Sequence, residues 1–256
     1  MSNISWMYRN LCSNPSSITE IFGTSNSLFG TNKLADGDLQ SYWEADRITT
    51  PIGTVVNILF DMGSSVSVDS LIVVHNLNES GTMYYMAGDT NPPTGTYSLP
   101  ILGSTGTSMK YLNAPVTLRY WKLFANGTNL SEPIKLREIF IGKRDTFSVN
   151  PEYQFKYETD SSTITTISEK GQKKVYHKYT RTNWELSYPS IDEETFGTML
   201  KIRKYCNGSY KPLFVCFDID DDKFATHFVR FGKNGFKNKE INYNIHDISI
   251  RLEEEL

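Results

Sequence analysis

With 256 residues the chain is long enough for two domains of ordinary size, each burying its own core. Apolar residues at 39%, charged residues at 21% and a mean hydropathy of -0.40 describe an ordinary globular protein and exclude a disordered or membrane-embedded one. The net charge of -3 supplies no basic field to hold a polyanion, which removes nucleic acid from the expected partners.

In chain order, the start Met1-Ser2-Asn3-Ile4-Ser5-Trp6 has no charged region followed by an apolar one, so the expectation is folding in a cytoplasm. No later run approaches the length of a membrane span, so no membrane insertion is expected. Asn10 to Glu44, rich in Ser, Thr, Asn and Gly, reads as loops and short turns. Strands follow at Thr54–Phe60, closed by Asp61-Met62-Gly63, and at Val68–His75, whose continuous apolar run suits a strand covered on both faces. Met83–Gly88 is a further strand, and Asp89 to Thr107 reads as a surface excursion. Thr117–Phe124 and Ile134–Gly142 complete a set of short strands with turn signals between them and no helix, the pattern of a sandwich.

Residues 143–152, with Lys143, Arg144, Asp145 and Asn150-Pro151, read as a linker. Beyond it Tyr153–Glu158 alternates, Ser161–Ser168 is Thr-rich, and Glu169-Lys170-Gly171 marks a turn. Val175 to Tyr188 reads as a long strand whose parity changes near Thr182-Asn183, a bulge signal. Ser190-Ile191-Asp192-Glu193 has the pattern of a capping box, with Ser190 as the cap. It opens a helix at about 191–206 whose stripe is Phe196, Met199, Leu200 and Arg203, stopped by Asn207-Gly208. Strands resume at Pro212–Phe217, Ala225–Phe231 and Ile245–Leu252.

Three cysteines, Cys12, Cys206 and Cys216, are odd in number and widely spaced, as reduced buried thiols are. The sequons at Asn78, Asn126, Asn129 and Asn207 read as turn sequences. No nucleophile elbow, phosphate loop, dinucleotide fingerprint or zinc-protease motif is present. His75, His177, His227 and His246 stand alone, and His75, ending a buried strand, reads as a core histidine. Asp218-Ile219-Asp220-Asp221-Asp222 lacks the Gly and distal Glu of an EF-hand loop and reads as a hairpin tip. Glu253-Glu254-Glu255 reads as a solvated tail, with pairing to a neighbour's cations as the alternative. The expectation is therefore no catalytic residue, no cofactor and no metal site, hence no enzyme; a glycan hydrolase would need two carboxylates about 5 to 10 Å apart, and nothing in the sequence places such a pair.

Two resemblances complete the sequence reading. Ala35-Asp36-Gly37-Asp38 and Ser41-Tyr42-Trp43-Glu44, followed by Phe60-Asp61-Met62-Gly63, Val68-Asp69-Ser70-Leu71, His75-Asn76, Arg119-Tyr120-Trp121-Lys122-Leu123 and Glu138-Ile139-Phe140-Ile141, resemble galactose-binding-like, discoidin or F5/8 type C domains over about residues 10–142. That resemblance implies an eight-stranded jelly-roll sandwich with loops that bind sugars or lipid head groups. It also implies a calcium beside the Asp-Gly turn, for which Asp36, Asp38, Ser41 and Glu138 are the oxygen donors; Asp38 and Ser41 serve equally as turn and cap residues. For a sugar platform the available residues are Tyr84, Tyr85, Tyr97 and His75, without a cluster.

In the second half, Gly171, Tyr179–Tyr188, the helix, Lys211-Pro212-Leu213-Phe214, Phe228-Val229-Arg230-Phe231 and the acidic close Ile248–Glu254 resemble tail-tip proteins of tailed bacteriophages, of the distal-tail and baseplate kind. The expected fold is mainly β, with a jelly-roll sandwich over 1–145 and a tail-ring-like β-sandwich or split barrel with one flanking helix over 146–256. The implied protein is a virion structural component assembled in the host cytoplasm. It would form or decorate a homo-oligomeric ring and dock tube, hub or fibre subunits. The hairpin from Tyr153 to Lys174 is the expected bridging arm, because an exposed strand edge invites pairing with another chain. The alternative is a carbohydrate-binding adhesion module for host-surface glycans.

Overall fold

A computed structural model describes residues 3–22, 30–45, 55–77, 81–99, 106–127, 133–147, 149–152, 156–167, 172–218 and 226–255. The fold is mainly β, with two sheets and, among the described residues, a single α-helix. The chain divides into two compact units, one of Met7–Asp145 and one that joins Met1–Trp6 to Thr146–Asp218 and Thr226–Leu256.

In chain order the strands are β1 (Ser5–Met7), β2 (Ser17–Phe22), β3 (Trp43–Glu44), β4 (Val55–His75), β5 (Thr82–Gly88), β6 (Gly95–Leu99), β7 (Thr107–Asn126) and β8 (Lys135–Gly142). They continue with β9 (Asp145–Thr146), β10 (Lys156–Ile167), β11 (Lys173–Asp192), β12 (Leu213–Cys216), β13 (Thr226–Asn242) and β14 (Ile245–Glu254); helix α1 (Glu193–Tyr205) lies between β11 and β12.

In the first unit β4 and β7 pair along most of their lengths, and each carries register shifts near its middle. The early half of β4 also pairs β2, and the facing half of β7 pairs β5, which pairs β6. The late half of β4 pairs β8, which pairs β3. Two layers are thus strung on the same two long strands. Val56, Ile58 and Phe60 from one layer and Leu71, Val73, Ile139 and Ile141 from the other join Trp43, Tyr85 and Trp121 in one buried cluster, as in a β-sandwich. The run Val68–His75 is buried throughout, as a strand covered on both faces requires.

Several local expectations change. The two strands expected between residues 54 and 75 are one, because β7 pairs on through the bulged middle of β4. The supposed excursion contains β6, paired to β5 from Met83↔Leu99 to Ala87↔Gly95. The supposed early loops contain β2. The supposed linker contains β9 and the buried Phe147, and Arg144 donates its backbone N–H to Asp69 Oδ1 at 2.9 Å.

The second unit is a seven-stranded sheet in the order β10-β11-β14-β13-β12-β1-β9. β1 belongs here, although the sequence reading assigned all of 1–145 to the first domain. The reason is Trp6, 1% exposed, whose ring lies 6.0 Å from Phe147 and 6.3 Å from Phe231. Met199 and Ile202 of α1 complete an apolar cluster with Trp6, Phe147, Phe231 and Ile250.

The helix begins two residues later than the sequence pattern suggests. Asp192, not Ser190, is the cap: its side chain accepts from Thr195 N–H at 2.8 Å. Ser190 is the last bulged part of β11, with φ of 52° and its N–H given to Asp247 Oδ1. The buried stripe is accordingly Thr195, Met199 and Ile202, while Leu200 of the expected stripe is exposed. The helix does end at Asn207-Gly208, both at positive φ. In β11 the register shifts fall opposite Ser162/Thr163 and between Tyr188 and Ile191, not at Thr182-Asn183. Before Arg181 every side chain of β11 is exposed, so parity carries no burial signal there.

Candidate functional site

The residues singled out for calcium do come together, and their oxygens are engaged by the turn itself. Asp36 Oδ1 accepts from Asp38 N–H at 3.1 Å and Asp36 Oδ2 from the Ser41 hydroxyl at 2.6 Å; Asp38 Oδ1 accepts from Gln40 N–H at 2.9 Å. Lys33 lies 3.6 Å from Asp36. Glu138, 4% exposed, accepts from Gly37 N–H at 3.1 Å and from Asn10 Nδ2 at 3.2 Å. Burial, reinforced by the Asp36 charge, pushes its carboxyl up to about 8, so it is neutral over most of the physiological range. Among the described residues no group of His, Cys, Asp and Glu is arranged to hold a metal ion. The arrangement latches the Asp-Gly turn onto the sandwich and delivers Trp43, fully buried, whose Nε1 donates to Glu20 at 2.8 Å.

The aromatic candidates do not converge. Tyr85 is fully buried in the core, while Tyr84, its neighbour on β5, points to the other face and stacks on Phe124 at 4.4 Å. Tyr97 lies against Trp121 at 6.0 Å. His75 is a satisfied core residue: Nε2 meets the Ser108 hydroxyl at 2.8 Å and Nδ1 accepts from Leu77 N–H at 3.0 Å. Burial lowers its pKa to about 4, so it is neutral.

A polar cluster that the sequence did not reveal sits where β4 and β7 bend. Arg119 grips Asp61 with two hydrogen bonds, of 2.7 and 2.9 Å, and lies 4.8 Å from the Tyr120 ring centre. Asp89 accepts from Arg119 N–H and from the Ser65 hydroxyl. The Arg119 hydrogen bonds hold the Asp61 carboxyl below its ordinary value. Asp61 and Arg119 are far apart in sequence, and only the register Asp61↔Tyr120 brings them together.

In the second unit, the acidic close is part of β14, not a solvated tail. Glu253 lies 3.8 Å from Arg181, Glu254 accepts from Thr182 N–H at 3.0 Å, and Glu255 pairs with Arg230. Of the acidic knot, Ile219 to Asp222 lie outside the described residues. The turn at Glu169-Lys170-Gly171 and the sequons at Asn78 and Asn129 lie outside them as well. His246 is buried, 2.7 Å from Glu193 and stacked on Phe196 at 4.0 Å. Glu193 is thus spent on His246 and does not reach back to the cap. Cys12, Cys206 and Cys216 are buried, and none of them forms a disulfide among the described residues.

The most exposed regular structure is the β10–β11 hairpin. Among the described residues β10 is the end strand of its sheet and pairs with β11 alone, from Lys156↔Glu185 to Ile167↔Lys173. All its side chains are exposed except the half-buried Ser162. Ile164 and Tyr176 face each other on one side of the hairpin and remain 45% and 55% exposed; Ile167 and Val175, on the other side, are 70% and 56% exposed. No described helix is long and apolar enough to cross a membrane.

No family model matches the chain, and no curated protein matches it. Among solved structures it is similar to chitosan-binding module 1 from a chitosanase/glucanase of Paenibacillus sp. IK-5, at 17% identity over 53% of this chain and 99% of that one, with a TM-score of 0.43. It is also similar to a carbohydrate-binding module from a family 31 glycoside hydrolase of Clostridium perfringens, at 17% identity over 53% of this chain and 99% of the module, with a TM-score of 0.42. A third is the carbohydrate-binding module of AlyQ in complex with 4,5-unsaturated mannuronic acid, at 17% identity over 50% of this chain and 95% of the module, with a TM-score of 0.38.

Proposed function

We propose that this chain is a non-catalytic binding and assembly protein whose second unit joins other protein chains by strand addition at β10. Its proposed setting is the ring of a bacteriophage tail tip or baseplate, with tube, hub or fibre subunits as neighbours. The observation that carries the reading is the state of β10, an end strand of twelve residues with exposed side chains nearly throughout. A long exposed edge is a template for another strand, and soluble proteins ordinarily shorten, twist or cover such an edge. Added main-chain hydrogen bonds would supply affinity, and Ile164, Ile167, Val175 and Tyr176 would supply the apolar contact. The tail setting is supported by the order of the sequence motifs in the second half. Sedimentation over a range of concentrations tests the assembly reading, with Ile164→Lys/Ile167→Lys as the weakened variant. A chain that stays monomeric throughout, and has no density in intact particles, sinks it.

The second reading is recognition of a surface glycan by the first unit, as in the carbohydrate-binding modules named above. It is favoured by the Asp61, Asp89, Arg119 and Tyr120 cluster, an aromatic ring flanked by charged hydrogen-bonding groups at one bend of the sandwich. A glycan-array screen with Arg119→Ala as control tests it. A ligand whose binding survives that change would remove the cluster from the reading, and no ligand at all would remove the reading.

A further inference from the structure

A second site lies on the face of the β10–β11–β14–β13 sheet. It is a cleft of about 190 Å³ around which Lys156, Lys233, Lys237 and Arg251 stand with Glu158 and Glu185. The register explains the convergence. Lys156, Glu185 and Arg251 are successive cross-strand partners and so form one row on one face, with Glu158 beside it. Lys237 enters opposite Ser249. Lys233 comes from the bulge between Phe231 and Phe236, whose shape is fixed by Asn234 at φ of 57° and by Gly235. A Cβ on Gly235 would lie 2.6 Å from Arg251 O and 2.7 Å from Gly232 O, so only glycine lets the bulge close over the face.

The charges here are unspent. Among the described residues none of the three lysines and neither glutamate makes an ion pair, and Arg251 has one long contact, 3.8 Å, to Glu253. Four cations against two carboxylates leave the cleft positive, which calls for an anionic group. The two carboxylates, neither of them in an ion pair among the described residues although Glu185 lies between Lys156 and Arg251 in the row, are acceptors that hydroxyl groups would satisfy. Asn183, Asn234 and Ser249 on the same lining add neutral donors and acceptors. The cleft is smaller than the roughly 300–1,000 Å³ of drug-sized sites, a volume suited to one ring.

We infer that this cleft binds an acidic sugar, a hydroxylated ring carrying one carboxylate, with Lys233, Lys237 and Arg251 on the carboxylate and Glu158 and Glu185 on ring hydroxyls. Titration of the full chain with glucuronate, glucose and acetate, followed by saturation-transfer NMR, tests it. Glucuronate is expected to bind at least about tenfold more tightly than glucose or acetate. Lys233→Gln/Lys237→Gln, both at exposed positions, is expected to remove that advantage while leaving the thermal midpoint in place. Glu158→Gln/Glu185→Gln is expected to weaken glucuronate and strengthen acetate. Equal binding of glucuronate and acetate overturns the sugar assignment. So does a gain for both ligands in the glutamate variant, and full glucuronate binding in the lysine variant overturns the site.

Discussion

Glu138 and His75 are both buried in the first unit, and they set opposite pH limits on it. Folded Glu138 keeps its proton to about pH 8, whereas its ordinary value is 4.5. Between those values the folded state binds more protons than the unfolded one, so stability is complete below 4.5 and falls as pH rises through 8. His75 runs the other way: its folded value of about 4 lies below the ordinary 6.5, so its contribution is complete above 6.5 and is lost as pH falls through 4. Between about pH 6.5 and pH 8, above the range in which His75 opposes it, urea denaturation is expected to show the alkaline decline, and Glu138→Gln is expected to flatten it; an unchanged slope would remove Glu138 as its cause. Trp43→Ala removes a fully buried ring and leaves Glu20 without that donor, and is expected to cost about 3–5 kcal/mol by the same method. The sequence marked Trp43 as part of a motif that resembles a galactose-binding-like sandwich, and Glu138 as an oxygen donor for calcium. It did not reveal that Glu138 is an acid held neutral, because that depends on burial by distant parts of the chain and on the Asp36 charge beside it, which together outweigh the hydrogen bonds from Gly37 and Asn10 that favour the charged form.

Among the elements, α1 separates a motif from its execution. Ser190 and Glu193 have the spacing of a capping box, yet Asp192 makes the cap because β11 stays paired to β14 through Asp192↔Ile245 and carries Ser190 with it. Asp192→Ala is therefore expected to cost about 1 kcal/mol in thermal or chemical unfolding. Ser190→Gly, relieving a side chain at φ of 52°, is expected to cost nothing or to stabilise slightly. A larger loss from Ser190→Gly than from Asp192→Ala would restore the capping box. The hairpin was legible from its Thr-rich alternation, since an exposed strand needs β propensity and little else. Its bulge was not, because every neighbouring side chain except the half-buried Ser162 is exposed and the sequence contains almost no burial pattern to shift.

For the molecule as a whole, the telling fact is that the first strand of the chain completes the sheet of the second unit. A fragment beginning at Thr146 lacks β1 and Trp6, and is expected to lose the near-ultraviolet signature of packed aromatics and cooperative unfolding. The same fragment supplied with a peptide of residues 1–7 is expected to recover both. Cooperative folding of the fragment alone would show Trp6 to be dispensable. The mainly β class, the buried run Val68–His75 and the helix with its stop were legible in the sequence, all set by periodicity and local backbone preference within a few residues. Only tertiary structure decided that β4 and β7 each run through two layers, that the acidic close is paired inside β14, that Asp61 meets Arg119, and that β1 belongs to the later sheet. These depend on which distant strands pair and in what register, and pairing energy is spread along the backbone, where side-chain identity records it only faintly.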